Sequence, residues 1–131
     1  MKRVMVDMSA TLIHHGHIRL LKYAKQFGHI VVALTSDNEI LKHKGYFPEL
    51  EFDHRYEILY SIEYVDEIIE SPWMITHEFL IDHNIDFLIH GHDNSNEVPP
   101  EKIKIIKRTE GISSSLIRER IIQNYISKKG K

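Results

Sequence analysis

A short apolar run, Arg3-Val4-Met5-Val6-Asp7, is followed by His14-His15-Gly16-His17 and then at once by a helical pattern through Phe27, with Ile18, Leu21 and Ala24 on repeating turns. This strand–turn–helix order recurs along the chain. Ile30–Leu34, Glu67–Ile69, Phe87–His90 and Ile103–Ile106 read as further strands. Asp53–Ser61, Thr76–His83 and a stretch from Ser113 or Ser114 to about Tyr125 read as helices. Parallel strands need crossovers that a helix supplies. The chain is therefore expected to be α/β, with a parallel sheet of about five strands and helices on both faces. Ile58, Leu59 and Ile62 are expected to point inward, as are Leu116, Ile117, Ile121 and Ile122. Residues Ser36–Glu51 are polar, contain Gly45 and Pro48, and read as a loop with at most one helical turn. The Lys128–Lys131 tail reads as frayed.

With 131 residues, the expectation is one domain, 1–131. A net charge of -2 argues against a nucleic-acid partner bound through a basic surface. Cysteine is absent, which removes disulfides and thiolate metal sites. No apolar run is long enough to span a membrane, and no signal-peptide pattern opens the chain. The expected location is the cytoplasm, with no membrane partner.

Ligands on parallel sheets bind beyond the carboxyl ends of the strands. Three segments should meet there: Met8–His17, Gly91–Asn94 and Arg108–Ser115. His14 and His17 flank Gly16 at a helix start, where unpaired N–H groups and the helix dipole favour an anion such as a phosphate. Imidazole N–H groups there can follow a phosphoryl group into its transition state. Gly16 would let a triphosphate approach the backbone. The same histidines could instead be zinc ligands or incidental surface residues, but no second histidine pair stands at a telling spacing. Lys42 and Lys44, read as alternate residues of an extended loop, would aim two ammonium groups at one place; solvated surface lysines are the plain alternative. Arg108 offers a guanidinium fork for phosphate oxygens, and Gly111 with Ser113–Ser115 opens a second helix. Asp93 could hold Mg²⁺, or could close a turn on its own backbone. Trp73 reads as core rather than as a platform for ligand.

His14-His15-Gly16-His17 matches the His-x-Gly-His motif of the nucleotidyltransferase superfamily. Arg108-Thr109-Glu110-Gly111-Ile112-Ser113-Ser114-Ser115 closely resembles the Arg-Thr-Glu-Gly-Ile-Ser-Thr-Thr motif of glycerol-3-phosphate cytidylyltransferases. The resemblance covers nearly the whole chain and includes Lys42-His43-Lys44, Asp53-His54-Arg55, Tyr64-Val65-Asp66-Glu67 and Ile81-Asp82-His83-Asn84-Ile85-Asp86.

The resemblance implies a single Rossmann-like domain, a homodimer, CTP as nucleotide with Mg²⁺, and a small phosphorylated acceptor attacking the α-phosphorus to release pyrophosphate. Products of this kind are precursors of cell-surface polymers. It also implies that His14 and His17 stabilise the pentacovalent phosphorus and that Lys44 and Arg108 neutralise the triphosphate. Ser9, Ala10, Gly16, Asp93 and the stretch Thr109, Glu110, Gly111, Ile112, Ser113, Ser114 and Ser115 would line the nucleotide. Lys42 and Arg55 would hold the acceptor, and Asp93 would hold the metal. The family's Gly-Thr-Phe-Asp reads Met8-Ser9-Ala10-Thr11 here, so an acidic residue is missing, and its Gly-Asp-Asp-Trp reads Gly91-His92-Asp93-Asn94. The Met-Ser-Ala stretch is similar to cytidylyltransferases of phosphonate pathways. Glycerol 3-phosphate leads as acceptor, followed by a phosphonate. An adenylyltransferase of the same superfamily and a nucleotide-binding domain without catalysis are the other readings.

Overall fold

A computed structural model describes residues 1–91, 96–107 and 109–129. Five parallel strands, β1 (Arg3–Met8), β2 (His29–Thr35), β3 (Glu67–Ser71), β4 (Phe87–Gly91) and β5 (Ile103–Ile106), form one sheet in the order β3-β2-β1-β4-β5. The helices are α1 (His15–Lys25), α2 (Asp37–Lys44), α3 (Phe52–Tyr60), α4 (His77–Asp82) and α5 (Ser114–Lys129). This is the α/β architecture expected from the sequence, a Rossmann-like sheet whose strand order reverses beside β1. The crevice between the ends of β1 and β4 is where such sheets take ligands.

The central strands are apolar on both sides because both sides are covered. On one face Val4, Val6, Met8, Val32 and Leu34 pack with Leu21 and Ala24 of α1 and Leu59 of α3. On the other, Met5, Val31, Ala33 and Leu88 pack with Ile75, Leu80 and Ile85 around α4. A residue's parity on β1 therefore decides its side: Asp7 continues the Met5 side and emerges at the sheet's carboxyl edge.

Three expectations change. The stretch after β2 carries a true helix, α2. Ser36 caps it, with its Oγ accepting from Glu39 N at 3.2 Å, and Gly45 ends it at φ 79°. Asp37 and Glu39 begin it and Lys42, His43 and Lys44 end it, both favourable to the helix dipole. Its single buried residue, Ile40, left too faint an apolar pattern to read. Ile58 on α3 is exposed, and Leu59 shares the buried face with Arg55 one turn earlier. On α5, Leu116, Ile121 and Ile122 are exposed rather than buried, together with Tyr125 and Ile126. Thr76 does cap α4, its Oγ1 accepting from Phe79 N at 3.2 Å.

Candidate active site

β1 ends in a loop that turns sharply at Ala10, a non-glycine residue at φ 48° held 4 % exposed against the core. The loop then enters α1 through His14. The Nδ1 of His14 accepts from Gly16 N at 3.1 Å, and the Nδ1 of His17 accepts from His14 N at 3.1 Å. A backbone N–H can only donate, so each Nδ1 is a bare lone pair and each ring proton sits on Nε2. Burial holds His14 below its ordinary pKa, helped by His15. Burial and then the neighbouring His14 push His17 down to about 4. Both rings are therefore neutral Nε2–H donors at neutral pH, with centroids 4.0 Å apart.

This arrangement alters two sequence expectations. The first turn of α1 is not a row of free N–H groups: Gly16 N serves His14, and His17 N reaches the His14 carbonyl at 3.1 Å. The imidazoles carry the donor function outward instead. Gly16 is needed for the ring of His14, since a Cβ there would lie 2.8 Å from Cε1 and 2.9 Å from Nδ1 of that ring.

The second motif docks directly on the first. Ser114 Oγ donates to the Leu12 carbonyl at 2.9 Å and accepts from Leu12 N at 3.3 Å. Ser113 caps α5, its Oγ accepting from Leu116 N at 3.0 Å. One turn further, Arg118 Nη2 donates to Thr11 Oγ1 at 3.1 Å, and Nε and Nη2 fork onto Glu49 at 2.6 and 2.7 Å. Hydrogen bonding by this guanidinium holds Glu49 below the usual carboxylate range. Thr11 is thus tied to α5 by its hydroxyl, through the guanidinium that also pairs with Glu49.

These elements enclose a cleft of about 640 Å³. Ser9, Ala10, His14, Gly16, His17, Lys44, Thr109, Ile112, Ser113, Ser114 and Ser115 line it, as the sequence predicts. Glu110 and Gly111 are not among its described lining. Glu110 is exposed and pairs with Lys107 at 3.0 Å, while Gly111 supplies the turn at φ 77°. Arg108 and Asp93 lie outside the described residues. The sequence reading missed several lining residues, among them Asp7, Arg19, Tyr23, His90, Asn96 and Lys107. Trp73, expected in the core, lines the cleft with His43 stacked on it at 4.9 Å and the Lys44 ammonium 5.8 Å from its centroid.

Two acceptor assignments are corrected. Arg55 is fully buried. Its guanidinium donates to the carbonyls of Leu50, Ser9 and Thr35 and to Asp37 Oδ1 at 2.6–2.9 Å. It is an internal bracket that fixes the β1 loop against α2 and α3, and it has no face for a substrate. Lys42 and Lys44 lie two residues apart on a helix, so they diverge by roughly 200° rather than pointing together. Lys44 lines the cleft; Lys42 is exposed and is not among the described lining.

The family model "Cytidylyltransferase-like" matches residues 9–120, and the chain belongs to that family. It is 38% identical over 126 residues to the glycerol-3-phosphate cytidylyltransferase of Bacillus subtilis, covering 92% of this chain and 98% of that one. It is 36% identical over 129 residues to the corresponding Staphylococcus aureus protein, covering 92% and 96%. A probable choline-phosphate cytidylyltransferase of Schizosaccharomyces pombe is 39% identical over 137 residues, 94% of this chain but 38% of that protein. Among solved structures, a lipopolysaccharide core biosynthesis protein from Thermoplasma volcanium superposes with a TM-score of 0.69 at 23% identity, covering 84% of this chain and 99% of that one. That likeness concerns the fold alone.

Proposed function

We propose that this chain is a CTP-dependent cytidylyltransferase that transfers CMP to a small phosphorylated alcohol. The observation that carries the reading is the docking of Ser113–Ser115 beside two Nε2–H imidazoles in one cleft. An acceptor phosphate oxygen attacks the α-phosphorus of CTP. A P–O bond forms to the acceptor, the α–β bridging bond breaks, and pyrophosphate leaves with the electron pair. No proton has to move. His14 and His17 donate Nε2–H to the non-bridging α-oxygens as charge develops on them. Neutral donors suit this role, because they strengthen with the negative charge without binding the ground state as tightly as a cation would. Lys44 neutralises phosphate charge, and so would Arg108. The start of α5, with Thr109 and the serines, would receive the β- and γ-phosphates and the base.

Mg²⁺ would accompany CTP. The described residues contain no group of three His, Asp or Glu able to hold a metal ion. An ion would therefore be held chiefly by the nucleotide's own phosphates, with Asp93 the candidate protein ligand. Bound there, it would neutralise triphosphate charge. We further infer a single catalytic domain over 1–131 and a cytoplasmic enzyme serving surface-polymer synthesis. No helix among the described residues is long and apolar enough to cross a membrane. A homodimer is inferred from the exposed Ile121, Ile122, Tyr125 and Ile126 of α5, a larger apolar run than solvent normally meets.

Similarity puts glycerol 3-phosphate first among acceptors. The test is pyrophosphate release from CTP and acceptor with Mg²⁺. CTP-dependent release supports the reading, and preference for ATP, or CTP binding without release on every acceptor, rejects it.

A further inference from the structure

Lys44 is the cation that the end of α2 brings to the cleft, and the chain around it is held from two sides. Upstream, the His43 ring stacks on Trp73 with centroids 4.9 Å apart. Glu39 joins the pair: it lies 3.5 Å from His43 Nε2, and its Oε1 accepts from Trp73 N at 3.4 Å. Downstream, Gly45 ends the helix, and Tyr46 and Glu49 both meet Arg118 of α5. The Arg118 guanidinium lies 4.8 Å from the Tyr46 ring centroid, and its Nε and Nη2 take the two Glu49 oxygens at 2.6 and 2.7 Å. Hydrogen bonding to Arg118 is the first reason that the Glu49 carboxyl sits low, and the charge of Lys44 adds to it. Glu49 is therefore close enough to Lys44 to compete for it. A lysine has a flexible stem and a compact ammonium that can turn to either of two anions. Here those are the phosphates expected in the cleft and the Glu49 carboxylate. A carboxylate already forked by a guanidinium is neutralised, and a second cation is drawn to it only weakly.

Resting on the cytidylyltransferase reading, we propose that Arg118 is a positioning residue for Lys44: by occupying the Glu49 carboxylate, it keeps the Lys44 ammonium for the phosphates of the bound nucleotide. Arg118 stands one turn into the helix whose start carries Ser114 and Ser115. α5 then serves the triphosphate twice, directly through its hydroxyls and indirectly through Lys44. The two members of the ion pair have unequal roles. Loss of Arg118 releases a carboxylate that captures Lys44, whereas loss of Glu49 removes the competitor. If the pair only fastened α5 to the loop after α2, either loss would do the same harm.

The experiment takes two readouts on Arg118→Met, Glu49→Gln and the double variant. One is kcat/KM for CTP, by pyrophosphate release with Mg²⁺ and the acceptor that the wild type turns over fastest. The other is the rate at which N-hydroxysuccinimidyl acetate acylates Lys44 in the protein alone, read by peptide mass spectrometry with Lys42 as internal reference. Arg118→Met should lower each about fivefold, the scale of a partly exposed ion pair. Glu49→Gln should leave both within about twofold, and adding it to Arg118→Met should bring both back to within about twofold of wild type. A double variant no better than Arg118→Met, or Glu49→Gln as impaired as Arg118→Met, makes the pair a fastener and overturns the proposal. So does an Arg118→Met variant that keeps wild-type turnover or Lys44 acylation. If the wild type releases no pyrophosphate, the transferase reading falls, and the acylation pattern alone supports or overturns the control of Lys44 by Arg118. If Arg118→Met does not fold, Glu49→Gln decides: both readouts within about twofold support the proposal, and a loss of about fivefold overturns it.

Discussion

The two helix starts that form the cleft are built differently. α1 is anchored in the core further along, where Leu21 and Ala24 are fully buried, and its histidines cap its own first turn. α5 begins at the surface, with an exposed flank, and is fastened at its first turns by Ser114 to Leu12 and by Arg118 to Thr11 and Glu49. The rigid start supplies donors whose tautomer and charge are set by the fold. The attached start supplies hydroxyls and a helix end that follow the first. Chemistry should therefore depend steeply on the α1 side, and nucleotide affinity more gently on the α5 side.

The largest effect should come from the bracket that holds the β1 loop against α2 and α3. Arg55→Leu leaves Asp37 and three carbonyls without their donor and is expected to cost about 3–5 kcal/mol of stability in denaturant melts. A modest loss with acceptor KM raised would return Arg55 to the substrate site. His17→Ala should lower kcat by about 10²–10³-fold, while CTP still raises the melting temperature. The helix cap it removes should cost only about 1 kcal/mol.

The same histidine sets an acid limit. Its folded pKa is about 4 against an ordinary 6.5, so the unfolded chain takes up a proton that the folded chain refuses. The stability it contributes is complete above pH 6.5 and lost as pH falls from 6.5 towards 4, of the order of 3 kcal/mol in all. His14 acts in the same direction. His17→Ala should flatten the stability–pH curve in that window, and an unchanged slope would assign the acid loss elsewhere.

Gly16→Ala forces the His14 ring aside and should cost about 1–3 kcal/mol, with a fall in kcat. Ser114→Ala tests the looser side. We expect a loss of about 1 kcal/mol and a several-fold rise in CTP KM with kcat nearly held. A collapse of kcat in Ser114→Ala would make the two starts equal partners in the chemistry.

The parts of this design that were legible in the sequence are those with strong local signals. Apolar runs such as Ile30–Leu34 placed the central strands, and the glycine and histidines at 14–17 marked the entrance to α1. The Gly111–Ser115 turn marked the entrance to α5. What stayed hidden depends on tertiary context. Arg55 and Lys42 look like any surface cations until the three carbonyls around Arg55 and the helical geometry around Lys42 are known. α2 buries only Ile40, so capping rather than apolar periodicity defines it. Asp7 reads as an ordinary polar residue near the end of β1, and only the parallel pairing of β1 with β4 brings it to His90. The exposed isoleucines of α5 carry a core-like pattern with no core beside them in one chain.

The most direct test of a shared site is an NMR titration with CTP and Mg²⁺ that follows the His14 and His17 ring nitrogens together with the backbone amides of 109–115. Both sets should move along one binding curve with a single Kd, and both rings should keep their proton on Nε2. Movement of one set alone, or two separate Kd values, would contradict the account.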